Sequence, residues 1–97
     1  MKTKVYSIYD VKSLTYSNPF YALTHGAAIR IVQDAANDMN TQLGRHPADF
    51  VLYCVGEFDD QSAMLWKLDP REHVIDIVAL VQPQPVGPLF PETKQEG

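Results

Sequence analysis

The sequence predicts an α+β domain, one helix packed on a mainly antiparallel sheet in the order β-α-β-β-β, followed by a proline-rich tail. Three observations predict it. Segments rich in β-branched and aromatic residues recur at 3–10, 50–58, 63–68 and 73–81. One stretch of helical periodicity lies between them at about 25–40, and four of the seven prolines crowd into 82–97. A chain of 97 residues makes one domain, because chains divide only near roughly 250–300 residues. The domain is placed at 1–82 and the tail at 83–97.

The first strand, Thr3 to Asp10, carries apolar groups on both faces, with Val5 and Tyr9 on one and Tyr6 and Ile8 on the other. A strand covered on both faces is expected inside its sheet. Residues 11–23 lose periodicity, and Ser17-Asn18-Pro19 is turn chemistry, so this segment reads as a long aromatic-rich connection. Thr24 is placed to cap a helix whose apolar face is Ala28, Ile31, Val32, Ala35, Met39 and Leu43, with Gly44 ending it. The strand Phe50 to Phe58 turns through Asp59-Asp60-Gln61-Ser62 into the strand at 63–68, an expected hairpin. In it Phe58 is expected to pack inward. Asp69-Pro70-Arg71-Glu72 breaks the pattern before His73 to Val81, read as a last strand. Prolines 83, 85, 88 and 91 keep the tail out of any sheet interior, and Val86, Leu89 and Phe90 give it apolar groups to dock with.

Hydrophobic residues at 45% and charged residues at 21% are ordinary globular values and exclude wholesale disorder. No apolar run approaches the ~20 residues of a membrane span, and the first residues lack a signal-peptide core, so a membrane partner is not expected. The single cysteine, Cys54, cannot form an internal disulfide, which suits a reducing, cytosolic compartment. The net charge of −4 is uneven: residues 1–45 carry +2 and residues 46–97 carry −6. This balance excludes a strongly basic, non-specific DNA coater, which needs clustered Lys and Arg.

No catalytic arrangement emerges, and neither a cofactor nor a metal is implied. Glu57, Asp59, Asp60 and Asp69 surround the hairpin turn, but adjacent carboxylates on extended backbone point apart, and Asp is an expected turn residue. His25, His46 and His73 lack ligand spacing, and Cys54 sits mid-strand where a buried thiol is usual. There is no phosphate-binding glycine loop and no Gly-x-Ser-x-Gly. The N-terminal part stands out more. Tyr6, Tyr9, Tyr16, Phe20 and Tyr21, half of the ten aromatic residues, interleave with Lys2, Lys4 and Lys12. Aromatic rings with flanking cations hold single-stranded nucleic acid by stacking and charge. The same rings also suit a core, and at least two of them are expected there.

Val5-Tyr6-Ser7-Ile8-Tyr9-Asp10-Val11-Lys12, Asn18-Pro19-Phe20, Gly26-Ala27-Ala28-Ile29-Arg30, Asp34-Ala35-Ala36-Asn37-Asp38, His46-Pro47-Ala48-Asp49-Phe50, Leu52-Tyr53 and Gly56-Glu57-Phe58-Asp59-Asp60 follow one another in order. Over about residues 4–61 this series resembles the small nonstructural protein of gokushoviruses, single-stranded-DNA phages of the microvirus group. The resemblance implies an accessory of the phage replication cycle in the host bacterial cytoplasm, acting in single-stranded DNA synthesis or genome packaging, with no catalytic residue to carry over. Combined with the residue reading, the expectation is weak single-stranded DNA binding through Lys2, Lys4, Lys12, Tyr16, Phe20, Tyr21 and Arg30. The alternative is a protein-interaction module or homodimeric regulator of a phage or host replication protein, using the hairpin's acidic edge and the tail.

Overall fold

A computed structural model describes residues 1–83. The proline-rich tail, from residue 84 onward, lies outside the described residues. Among the described residues five strands form one antiparallel sheet: β1 (Lys2–Asp10), β2 (Thr15–Tyr16), β3 (Phe20–Ala22), β4 (Phe50–Asp59) and β5 (Leu65–Asp76). The helices are α1 (His25–Ala36) and the short α2 (Gln42–Arg45), with 3-10 turns at Pro47–Asp49 and Ile77–Leu80. The α+β class read from the sequence holds, with a richer strand order.

β1 pairs with β4 along one side and with β2 and β3 along the other, so it is interior to the sheet, as its two apolar faces require. The segment read as an aperiodic connection instead contributes β2 and β3, which are only two and three residues long. Period-2 alternation is not visible over so few residues.

Thr24 caps α1 as expected, its hydroxyl oxygen accepting from the Ala27 N–H at 3.1 Å. The helix stops at Ala36, short of residue 40, because Asn37 ends it. The Asn37 amide donates to the Gln33 and Leu80 carbonyls, both at 2.9 Å, and its Oδ1 accepts from the Gln82 N–H. This ties the helix end to the last turn of the domain. The buried stripe is Ala28, Val32 and Ala36, whereas Ile31 and Met39 are exposed. Small residues at i, i+4 and i+8 let the helix approach the sheet closely, which turns the larger Ile31 outward.

α1 and the turn at Ile77–Leu80 cover one face of the sheet, enclosing Tyr6, Phe50, Leu52 and Cys54. The stretch 77–80 is therefore not the strand expected there. Ile77 and Leu80 are both buried, and a spacing of three puts them on one side of a 3-10 turn but on opposite sides of a strand.

β4 carries a bulge: Tyr6 lies opposite Cys54 and Val5 opposite Gly56, leaving Val55 as the extra residue. One extra residue exchanges the faces of everything beyond it. Phe58, which shares parity with Leu52 and Cys54, is thus carried away from the helix. It lies half-buried and edge-on to Tyr21, with ring centroids 5.8 Å apart, so the expectation that it packs inward is corrected. Phe58→Ala should accordingly cost about 1.5–2.5 kcal/mol, roughly half the penalty for a fully buried ring, as measured by urea unfolding.

The expected hairpin is present, and Asp59 shapes it by accepting from the Gln61 N–H at 3.0 Å. The two strands expected at 63–68 and 73–81 are one edge strand, β5, with Pro70 inside it. An edge position tolerates proline because one side of the strand needs no ladder bonds. Lys67 pairs with Gly56 and Glu72 with Cys54, so Leu68 to Arg71 bulge away from β4.

Candidate nucleic-acid interface

Strand alternation sends Tyr6, Ile8, Leu52 and Cys54 under the helix and Ser7, Tyr9 and Tyr53 to the opposite face. Register places Tyr16 beside Tyr9 and His73 beside Tyr53 on that same face. The rings meet there. Tyr9 and Tyr16 centroids are 4.7 Å apart, Tyr16 and Tyr53 6.0 Å, Tyr9 and Tyr53 6.4 Å, and Tyr53 and His73 5.9 Å. Asp76 Oδ1 lies 2.8 Å from His73 Nε2 and fixes that ring.

The bulge in β5 brings Arg71 over this cluster, its guanidinium carbon 4.6 Å from the Tyr53 ring and 5.6 Å from the Tyr16 ring. Stacking on both rings holds the guanidinium in place. Among the described residues no carboxylate lies within ion-pair distance of it, so its donors are left for an outside acceptor. Beside it opens a hollow of about 480 Å³ lined by Ser7, Tyr16, Ser17, Pro19, Val55 and Arg71. Ser7 is buried, and its hydroxyl donates to the Ser17 carbonyl at 2.7 Å, holding the β2–β3 segment against β1.

Of the residues singled out in the sequence, Tyr16 lies in this cluster, and Tyr21 lies on the same face beside Phe58. Both are more than two-fifths exposed. Phe20 stacks on Tyr6 at 5.7 Å and packs against the core. The four cations do not converge on the tyrosine face. Lys2 and Lys4 alternate with Tyr6 on the helix side; Lys2 sits 5.0 Å from the Trp66 ring and Lys4 3.9 Å from Glu57. Lys12 follows the other end of β1, a strand of nine residues or about 30 Å. Arg30 is exposed on α1. Arg71, Tyr53 and His73 were missed. Tyr53 was findable, since Val51, Tyr53 and Val55 form a second apolar parity, and a single helix can cover only one face of a sheet. Arg71 had no such mark, because Asp69-Pro70 reads as a break.

On the helix side, the Tyr6 hydroxyl and His25 Nδ1 share a hydrogen bond of 2.7 Å, and His25 Nε2 lies 3.2 Å from Glu72. Burial above all, with Cys54 and Glu72 nearby, pushes the Tyr6 phenol up to about 12 from 10.0. A raised folded-state value means that the unfolded chain releases this proton first. Stability should be full below pH about 10 and should decline as pH climbs through about 12. Tyr6→Phe should flatten that alkaline decline in pH-dependent urea unfolding. Burial likewise raises the Cys54 thiol, which keeps it protonated and unreactive near neutral pH. Among the described residues no three His, Cys, Asp or Glu side chains gather as metal ligands, and no helix is long and apolar enough to cross a membrane.

The fold and this surface define a small α+β domain that displays a tyrosine cluster, clamped by one arginine, on the sheet face away from its helix. The family model described as Phage ORF5 protein matches residues 3–80, and the chain belongs to that family. It is a phage protein. No curated protein and no solved structure matches the chain.

Proposed function

We propose that this phage protein is a non-enzymatic accessory of the gokushovirus nonstructural type, acting in the host bacterial cytoplasm in single-stranded DNA replication or genome packaging. It contacts single strands through Tyr9, Tyr16, Tyr53 and Arg71. The observation that carries the reading is Arg71 stacked over Tyr16 and Tyr53 with no carboxylate in range among the described residues. Tyr16 is the exposed ring of the cluster, with Tyr9 and Tyr53 half-buried beside it. An exposed ring stacks an unpaired base at about 1–3 kcal/mol, while the bases of a duplex are already stacked and out of reach. A net charge of −4 keeps the affinity low, on the order of micromolar or poorer, and a site with few cations makes it only modestly dependent on salt.

Fluorescence anisotropy with a labelled thirty-nucleotide single strand tests this at low and moderate salt. Tyr16→Ala should weaken binding by about 5- to 150-fold, the range that one stacked base covers. A Lys2/Lys4/Lys12→Glu triple variant should weaken it less, since those side chains lie away from the tyrosine cluster. Absence of binding by the wild type even at low salt would overturn the reading.

The edge strand favours a second reading. Leu65, Trp66 and Leu68 are exposed along β5, and a sheet edge with apolar side chains suits pairing with another chain. A homodimer or a complex with a phage or host replication protein would cover them. Sedimentation in the absence of DNA separates this reading, which requires a mass that grows with concentration.

A further inference from the structure

The hollow at Arg71 does not end at Val55. A second hollow of about 330 Å³ shares Pro19 and Val55 with it and continues past Gly56 to Lys67. The two make one groove across the tyrosine face. Its walls are Val5, Val55 and Pro19, its polar groups are Ser7 and Ser17, and its only charged lining residues among the described ones are Arg71 and Lys67, one in each hollow. In a chain with twelve acidic residues, a groove whose described lining has two cations and no carboxylate is a specific arrangement. Gly56 keeps the middle low: a Cβ there would come within 2.3 Å of the Trp66 carbonyl oxygen, so close strand approach excludes a side chain. Lys67 does face Asp69 at 3.7 Å, but both side chains are about four-fifths exposed. Such a pair is screened by water and holds Lys67 only weakly.

We infer that this groove is the track of the single strand, with phosphates at Arg71 and Lys67 and bases laid on the apolar floor and on Tyr16. The inference rests on the single-strand reading above and deepens it. Lys67 and Arg71 are four residues apart on β5, at most about 13 Å of backbone, so a short segment of single strand reaches both. Neither Lys2 nor Arg30 belongs to this track.

The test is the salt dependence of binding to labelled oligothymidylates of four and sixteen nucleotides, for the full chain. Each phosphate that a single strand no longer has neutralised lowers the slope of log affinity against log salt by about 0.7. Lys67→Ala and Arg71→Ala should each reduce the slope by about 0.7 and together by about 1.4, on both lengths of oligonucleotide. Arg45→Ala, a cation on the helix side, should leave it unchanged. Arg71→Lys keeps the charge and should restore the slope while affinity stays reduced, which separates the phosphate contact from simple misfolding. Wild-type binding whose slope ignores Lys67→Ala would overturn the track and leave the single-strand reading intact. Absence of wild-type binding to either oligonucleotide would overturn both.

Discussion

Leu52→Ala should lower the unfolding free energy by about 2–5 kcal/mol, enough to consume a large part of the stability of a domain this size. Leu52 has no exposed surface and lies opposite Ile8 on one neighbouring strand and Ile75 on the other. Its side chain fills the middle of the sheet under α1, where Ala28 and Val32 come down on it from a helix built for close approach. Removing three carbons there forfeits their transfer free energy and leaves a cavity that a sheet hydrogen-bonded on both sides of β4 cannot close. Urea unfolding gives the value directly, and Leu52→Met, which nearly conserves volume, should cost less than about 1.5 kcal/mol. A cost below about 1 kcal/mol for Leu52→Ala would mean that the helix settles into the gap.

Gly44→Ala should cost about 3 kcal/mol, a large effect for the addition of one methyl group. A Cβ at Gly44 would sit 2.0 Å from the Asp38 carbonyl oxygen, 2.6 Å from its carbon and 3.2 Å from the Met39 nitrogen. All three are main-chain atoms, so no side-chain rotation relieves the overlap. They are held in turn by Thr41, whose hydroxyl reaches the Ala35 carbonyl at 2.6 Å and the Asp38 carbonyl at 2.8 Å and accepts from the Gly44 N–H at 3.0 Å. Gly44 therefore does not end the long helix, as its position in the sequence suggested. It is buried within α2, and closeness of approach demands it, since no glycine among the described residues has a positive φ. Thermal unfolding checks the prediction; at about 4–8 °C per kcal/mol the shift should exceed about 10 °C.

The two glycines mark the limit of what local sequence shows. Thr24 was readable as a cap because capping needs only its own neighbours, and Asp59 as a turn residue for the same reason. Gly44 and Gly56 are constrained by carbonyls of Asp38 and Trp66, six and ten residues away. The alternation of Val51, Tyr53 and Val55 against Phe50, Leu52 and Cys54 was likewise present in the sequence, yet which parity the helix would cover was not. The Val55 bulge then reversed the parity for Phe58, and no periodicity foretells a register shift.

The class of the domain, the interior place of β1, the cap and body of α1 and the hairpin of β4 and β5 are all legible in the order of residues. Each of these follows from side-chain period or turn chemistry over a few adjacent residues. Where the aromatic residues and cations went was settled by long-range packing. Phe20 was drawn to Tyr6 and the core, Tyr9, Tyr16 and Tyr53 were gathered on the opposite face, and Lys2, Lys4, Lys12 and Arg30 were scattered. Arg71 reached the tyrosines because four residues of an edge strand bulge past β4. Meetings of this kind depend on strand register across gaps of tens of residues, which is set when the helix chooses the face it buries.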